Sequence, residues 1–321
     1  MQSFESLAKK FSEKFDVNHF PDQPAGLYEP NRYFLRLGGK RVRPVACLMG
    51  NELFDEIVTD AWPVACAVEL FHNFTLIHDD IMDKSPLRRG MKTVHEKYNE
   101  NTAILSGDVM LVFAYEYLNK INTSYLRRIL SLFNRTAREV CEGQQLDMDF
   151  EKRNDVAFDE YIHMIELKTS VLLAASLQMG AILGGASERN QQLLYEFGKK
   201  LGIAFQIRDD YLDAFGNPEK VGKQTGGDIK MNKKTFLLIH ALEQAKPAQR
   251  KELEKLMIAH TDDKVEKTLQ ILRDCGADTW ALDLKTQYFN QAMQHLDDVA
   301  VLSKRKEPLR ELAQFLISRD H

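Results

Sequence analysis

At 321 residues, 44% hydrophobic and 28% charged, the chain can bury a large core as one big domain or two ordinary ones, which excludes a disordered or fibrous protein. Forty-seven acidic against 43 basic residues leave a formal charge of -4, so the overall balance points to no nucleic-acid or anionic-membrane partner and charge has to be read locally. The four cysteines, Cys47, Cys66, Cys141 and Cys275, stand far apart without CxxC spacing, which fits buried thiols in a reducing cytoplasm rather than disulfides or zinc.

The N-terminal stretch MQSFESLAKKF has no apolar h-region, and no apolar run approaches the roughly 20 residues that span a bilayer. A soluble, cytoplasmic protein is expected. Next, LGGKRVRP gathers Lys40, Arg41 and Arg43. Apolar residues then recur at intervals of three and four through DAWPVACAVELFHNFTLIHDD (60 to 80), NTAILSGDVMLVFAYEYLNK (101 to 120), SYLRRILSLFNRTAREVCEGQQLDMDF (124 to 150), DEYIHMIELKTSVLLAASLQMGAILGG (159 to 185) and QQLLYEFGKKLGIAFQIRDDYLDAFG (191 to 216). This spacing predicts long helices. The breaks SPLRRG, NTS, GASERN and GNPEKVGKQTGGD are short and polar or rich in Gly and Pro, and no run of alternating β-branched residues lies between turn signals. No sheet is expected. SVLLAASLQMGAILGG is apolar nearly all round, as for a helix packed on every side. From about Lys246 the chain is more charged and amphipathic, which places those helices outside. The economical reading is one all-α domain over residues 1–321, a large helical bundle.

Chemistry concentrates at two helix ends. Asp79, Asp80 and Asp83 close the first long helix, with Asp79 and Asp83 one turn apart on a shared face. The negative end of the helix dipole disfavours acids there, and two carboxylates ~6 Å apart repel by roughly 0.7 kcal/mol in water and ~3 kcal/mol at an effective dielectric of 20. A divalent cation reverses the sign, and magnesium suits the site because it takes one or two carboxylates and completes its shell with water and phosphate oxygens. One DDxxD run can be a solvated helix end. The second, Asp209, Asp210 and Asp213, repeats the spacing at the end of another mostly apolar helix, which favours a shared site facing a bundle cavity.

Basic residues supply the complement: Lys40, Arg41 and Arg43, then Arg88 and Arg89 behind the first acids, then Lys223 and Lys233 behind the second. Each alone is an ordinary surface charge. Together with metal-holding carboxylates they are what a site needs to bind two polyphosphates, one through metals and one through direct hydrogen bonds. Gln206 lies one helical turn before Asp210 and looks toward the same end.

In order over roughly residues 36 to 240, GGKRVRP, ELFHNFTLIHDDIMDKSPLRRG, GQQLD, ELKTS, FQIRDDYLDAFG and GKQTGGDIKMNKKT resemble the motifs of the trans-isoprenyl diphosphate synthases, or polyprenyl synthetases. The resemblance implies an isoprenoid-synthase bundle around a central cavity and a short-chain prenyltransferase that condenses isopentenyl diphosphate with an allylic diphosphate (dimethylallyl, geranyl or farnesyl). It implies three magnesium ions per active site, with Asp79, Asp83 and Asp209 as ligands and Asp80, Asp210 and Asp213 supporting the shell directly or through water. Arg88, Lys168, Thr169, Gln206, Lys223 and Lys233 would contact the allylic diphosphate or its leaving group, and Lys40, Arg43, His72 and Arg89 would hold isopentenyl diphosphate. The family is usually homodimeric.

Phe74 and Phe71, about 7.5 and 12 Å along the helix axis from Asp79, are candidates for a floor that sets product length. An aromatic five residues before the first motif, with the small Thr75 at four, resembles makers of the twenty-carbon product, and the two-residue insertion of many bacterial farnesyl synthases is absent. Geranylgeranyl diphosphate is therefore the expected product, with farnesyl diphosphate the nearest alternative. A class I terpene cyclase would need no site for isopentenyl diphosphate, and a non-catalytic partner subunit would have lost acids from one motif. An HD-type phosphohydrolase leaves the second motif unexplained, and GNPEKVGKQ lacks the spacing and the Ser or Thr of a P-loop.

Overall fold

The structure, a computed structural model, describes residues 1–15, 19–216, 226–259 and 261–318. The fold is all-α, and among the described residues the strands are confined to one short hairpin. The chain divides into two compact units, Met1–Phe133 with Ala175–Gln192 and Asn134–Ala174 with Leu193–His321.

In the first unit, α1 (Phe4–Phe15), α2 (Ala25–Arg36) and α3 (Val42–Glu52) precede the long α4 (Ala61–Met82). From Val64 to Phe71 every residue of α4 is buried, including Glu69, because the sequence there offers almost no polar face and the helix must be packed on all sides. Burying a ring such as Phe71, 1% exposed, contributes roughly 2–3 kcal/mol. α5 (Val94–Lys97) and α6 (Glu100–Leu118) follow, and α6 is the main partner of α4. α6 starts where Asn99 accepts the Thr102 N–H on its side chain at 2.8 Å, satisfying one of the donors left open at a helix N-terminus.

The expectation of no sheet needs one correction. β1 (Leu87–Arg88) and β2 (Met91–Lys92) pair antiparallel, Leu87 opposite Lys92 and Arg88 opposite Met91. Arg89 and Gly90 both take positive φ, 54° and 76°, the two-residue turn whose twist matches that of the strands. Two residues per strand are too few to display a period of two, so the hairpin was hidden in the break SPLRRG and the two residues that follow it.

α7 (Thr123–Glu151) enters the second unit at Asn134. α8 (Phe158–Ile165), a π-turn (Glu166–Ser170) and α9 (Val171–Leu183) form one continuous helical stretch, and α10 (Glu188–Phe215) ends on the second acidic motif. Tyr161, Ile165, Ile203, Ile207, Phe236 and Leu253 lie in the second unit's core. The outer helices Pro247–Ile258, Lys264–Asp274 and Ala277–Asp298 contribute Leu253, Leu272 and Leu284 and leave charged faces outside. Lys234 donates to the carbonyls of Phe150 and Glu151, both at 3.0 Å, and so caps the end of α7.

Two expectations are adjusted. The stretch Phe158–Leu183 is long and apolar enough to cross a membrane by composition, but 78% of its most apolar window is buried within the protein, as a core helix requires. Cys47 and Cys66 are buried thiols whose pKa is pushed up to about 12 by burial, whereas Cys141 is exposed on the polar side of α7.

Within the first unit, α9 approaches α3 so closely that a Cβ on Gly180 would lie 2.0 Å from the Cys47 carbonyl oxygen. Backbone cannot yield as a side chain can. Gly180→Ala is expected to destabilise the protein by about 1–3 kcal/mol, the usual cost of overpacking, measured as a lower midpoint in urea denaturation.

Candidate active site

The expected site residues divide between the units, and Lys223 lies outside the described residues. In the first unit, the end of α4 puts Asp79, Asp80 and Asp83 at the negative pole of the helix, with the Asp83 N–H donating to the Asp79 carbonyl at 2.9 Å. The three acids then part company. Asp80 is 1% exposed and accepts Arg88 Nε on both oxygens, at 2.9 and 2.8 Å. Burial pushes its pKa up while Arg88 pulls it down, and burial wins. Asp79 receives the same guanidinium at 3.5 Å and keeps 22% of its side chain exposed. Asp83 is the half-buried C-cap of α4. Asp79 and Asp83 therefore keep partly exposed side chains one turn apart, whereas Asp80 anchors Arg88.

The turn after Arg88 sends Arg89 toward the glycines of LGGKRVRP, where a Cβ on Gly39 would lie 3.0 Å from the Arg89 guanidinium. Lys40 is the next residue of that loop and is exposed. Arg43 Nη1 lies 3.2 Å from His72 Nε2. Burial, then the positive field of Arg43, Arg89, Arg88 and Arg41, holds the His72 pKa well below its ordinary value. The ring is therefore neutral and accepts the Arg43 hydrogen bond. Below the cluster, Arg41 donates to Glu69, which also accepts from Asn73 Nδ2 at 3.1 Å and is 3% exposed.

Phe71 and Phe74 stand on the same helix with ring centroids 5.7 Å apart. Phe71 packs edge-on against Phe133 at 5.3 Å, and Phe74 against His78 at 4.8 Å. Thr75 turns its hydroxyl back to the His72 carbonyl at 2.8 Å.

In the second unit, Lys168, Thr169, Gln206, Asp210 and Lys233 line one open pocket of about 480 Å³, joined there by Asp147, Tyr161 and Asp228. The π-turn presents Lys168 and Thr169, and two glycines let it sit deep: a Cβ on Gly143 would lie 2.3 Å from the Lys168 nitrogen, and one on Gly202 2.7 Å from the Ser170 Cα. Lys168 Nζ is 2.6 Å from Asp147 Oδ2. Thr169 donates to Gln206 Oε1 at 3.1 Å, Gln206 Nε2 donates to Asp210 Oδ1 at 2.8 Å, and the Tyr161 hydroxyl donates to Asp210 Oδ2. Burial, then the nearby Asp228 carboxylate, raises the Asp210 pKa to about 8 against the pull of Tyr161 and Gln206. Asp209 is paired with Arg208, and 40% of its side chain is exposed. The Asp213 carboxylate accepts the Asp228 N–H at 3.0 Å.

The motif reading gave no role to Asp147, Tyr161 and Asp228, which line the pocket with the expected residues, or to Glu69, which pairs with Arg41. Glu69 had a signal, an acid inside an otherwise apolar helix. Tyr161 had none, since one tyrosine on a helix face is ordinary core.

Asp79 and Asp83 in the first unit, and Asp209 in the second, each carry the hard carboxylate oxygens that magnesium takes as ligands. Among the described residues no three His, Cys, Asp or Glu side chains gather as a metal site of their own.

Acids at two helix ends, each accompanied by arginine or lysine and set on an all-α frame, define a protein that handles polyphosphates. The sequence model described as polyprenyl synthetase matches residues 24–274. A geranylgeranyl diphosphate synthase of Methanosarcina mazei is 39% identical over 305 residues, covering 93% of this chain and 91% of the relative. A crystal structure of a geranylgeranyl pyrophosphate synthase superposes with a TM-score of 0.95 at 43% identity, covering 99% of each chain. The geranylgeranyl pyrophosphate synthase of Corynebacterium glutamicum, complexed with isoprenyl diphosphate and magnesium, gives a TM-score of 0.88 at 27% identity over 98% of each chain. The chain belongs to the polyprenyl synthetase family.

The neutral His72 gives a pH prediction. Above pH 6.5 the ring is neutral folded or unfolded and contributes nothing to the pH dependence. Below it the unfolded chain takes up a proton that the folded ring refuses, so stability falls as pH drops from about 6.5 toward the depressed folded value. His72→Gln is expected to lose less stability than the parent between pH 7 and pH 5.5, measured by thermal denaturation at both values.

Proposed function

We propose that the chain is a prenyltransferase that condenses isopentenyl diphosphate with an allylic diphosphate and releases geranylgeranyl diphosphate. The observation that carries this reading is the division of roles along α4: Asp79 and Asp83 keep partly exposed side chains at its end, while Arg43 and Arg89 gather around the neutral His72 on the same helix. Acids that hold a cation and bases that hold a phosphate directly are what two diphosphates in one reaction require. Both acidic motifs serve that reaction, and the whole chain acts as one synthase domain, in a homodimer as the family resemblance implies.

Asp79, Asp83 and Asp209 would hold magnesium, three ions per active site, which when bound neutralises charge on the departing diphosphate. Lys168, Thr169, Gln206 and Lys233 bind the allylic diphosphate, and Arg88, braced on Asp80, meets it at the first motif. Lys223 is assigned to the same task from its motif alone. Lys40, Arg43, His72 and Arg89 hold isopentenyl diphosphate, where the neutral His72, whose Nε2 accepts from Arg43, has its Nδ1–H left to donate to a phosphate oxygen.

The allylic C1–O bond breaks with its electron pair leaving on the diphosphate, and the fixed cations stabilise that charge as it develops. The isopentenyl double bond donates its electrons to the allylic carbon, forming the new C–C bond. A proton then leaves the resulting cation for the departing diphosphate, and the double bond re-forms. No side-chain nucleophile is involved. Apolar walls keep out water, which would quench the cation. Phe74, with Phe71 held behind it by Phe133, ends the space for the growing chain.

Incubation with isopentenyl diphosphate and each allylic starter, with and without magnesium, is expected to give a metal-dependent product ending at twenty carbons by mass spectrometry. A stop at fifteen would mean a farnesyl diphosphate synthase, and no condensation from folded protein would sink the reading in favour of a cyclase or partner subunit. Asp79→Ala is expected to lower kcat by roughly 10²- to 10³-fold. Phe74→Ala is expected to lengthen the product by at least one isoprene unit, and an unchanged product would remove Phe74 from the floor.

A further inference from the structure

The segment from Gly226 to Lys233 carries Asp228 and Lys233 to the pocket that Lys168, Thr169, Gln206 and Asp210 also line, and it is tied down at both ends. At its start the Gly226 N–H donates to the Asp213 carbonyl at 2.6 Å and the Asp228 N–H to the Asp213 carboxylate at 3.0 Å. At its end Asn232 adopts a left-handed backbone, φ 58°, with its N–H on the Ile229 carbonyl at 3.2 Å and the following Lys233 N–H on the Asp228 carbonyl at 2.9 Å. What holds Asn232 comes from another element. Its amide oxygen accepts a hydrogen bond from Nζ of Lys264, the first residue of the helix Lys264–Asp274.

Lys264 is only 5% exposed. Its ammonium also donates to the Ala259 carbonyl at 3.1 Å, so both of these acceptors are neutral. Burial lowers its pKa. A long apolar side chain at this depth would avoid the desolvation that a buried ammonium suffers. The lysine therefore brings something that packing does not, a directed donor at the one residue whose left-handed turn aims Lys233.

We propose that Lys264 is a positioning residue for diphosphate binding: its ammonium locks the Asn232 turn and thereby sets Lys233 and Asp228 on the pocket wall. The inference rests on the reading of that pocket as a diphosphate site. Asp213 fixes where the segment begins, and Lys264 fixes where it ends. Neither touches the ligand.

Two variants separate this role from general support. Lys264→Met removes the donor and keeps most of the volume; Asn232→Gly removes the acceptor and keeps the left-handed turn accessible. Titration calorimetry with inorganic diphosphate in magnesium is expected to show binding weakened about tenfold in each, the worth of one hydrogen bond to a charged group, and no further in the double variant. The KM of the allylic diphosphate should rise in parallel while that of isopentenyl diphosphate stays within about twofold. If Lys264→Met does not fold, Asn232→Gly carries the test alone. Unchanged diphosphate affinity with a fallen kcat, or losses that add in the double variant, would overturn the proposal. A parent protein that makes prenyl product but whose diphosphate affinity ignores both substitutions would overturn it alone. A parent whose diphosphate affinity falls in both variants as expected, yet which makes no product, would instead overturn the proposed reaction.

Discussion

Arginines crowded around one helix end repel each other, and the rest of the first unit depends on the buried carboxylates that hold them. Glu69 lies under Arg41 and Asp80 under Arg88. Removing Glu69 would take the buried carboxylate from Arg41, and removing Asp80 would leave Arg88 only the longer contact to Asp79, losses more costly than that of a surface pair. With those two charges neutralised, Arg43 and Arg89 are left to act outward. His72 completes the arrangement by staying neutral, so the cluster gains an acceptor without gaining another positive charge.

The second unit solves a different problem with different means. Its acids are tempered by hydrogen bonding: Asp210 takes a phenol on one oxygen and an amide on the other, and the amide continues to the Thr169 hydroxyl. A chain of neutral donors fixes orientation at little electrostatic cost, and because each member is satisfied by the next, the network favours one arrangement of the pocket wall. The π-turn contributes the other half. One extra residue per turn swings Lys168 and Thr169 out of the register of α8, a distortion found mostly at functional sites.

Much of this was legible in the chain. The long helices fell where apolar spacing put them, since helices buried all round leave a period or a run that nothing else imitates. The ends were legible too, because acids at a helix C-terminus violate a local preference and such violations mark function. What escaped detection was short or cross-chain. The hairpin is two residues per strand, the π-turn leaves no mark in composition, and the bond from Tyr161 to Asp210 spans forty-nine positions. The bond to Asp213 escaped for a related reason: a backbone N–H fifteen residues on donates to its carboxylate, which the motif does not announce. Phe236 and Leu238 both enter the core, where size and apolarity suffice.

The hairpin deserves a last thought in terms of what the gene can change. Arg88 and Arg89 are identical neighbours, yet one faces the acids of α4 and the other the glycine loop, and only the tight turn keeps them apart. Exposed loops usually tolerate an added or missing residue. Here a single insertion before Arg88 would shift the register and move that arginine out of the position that brings it to Asp80. Loop length at this point is as constrained as a buried side chain, although solvent touches most of it.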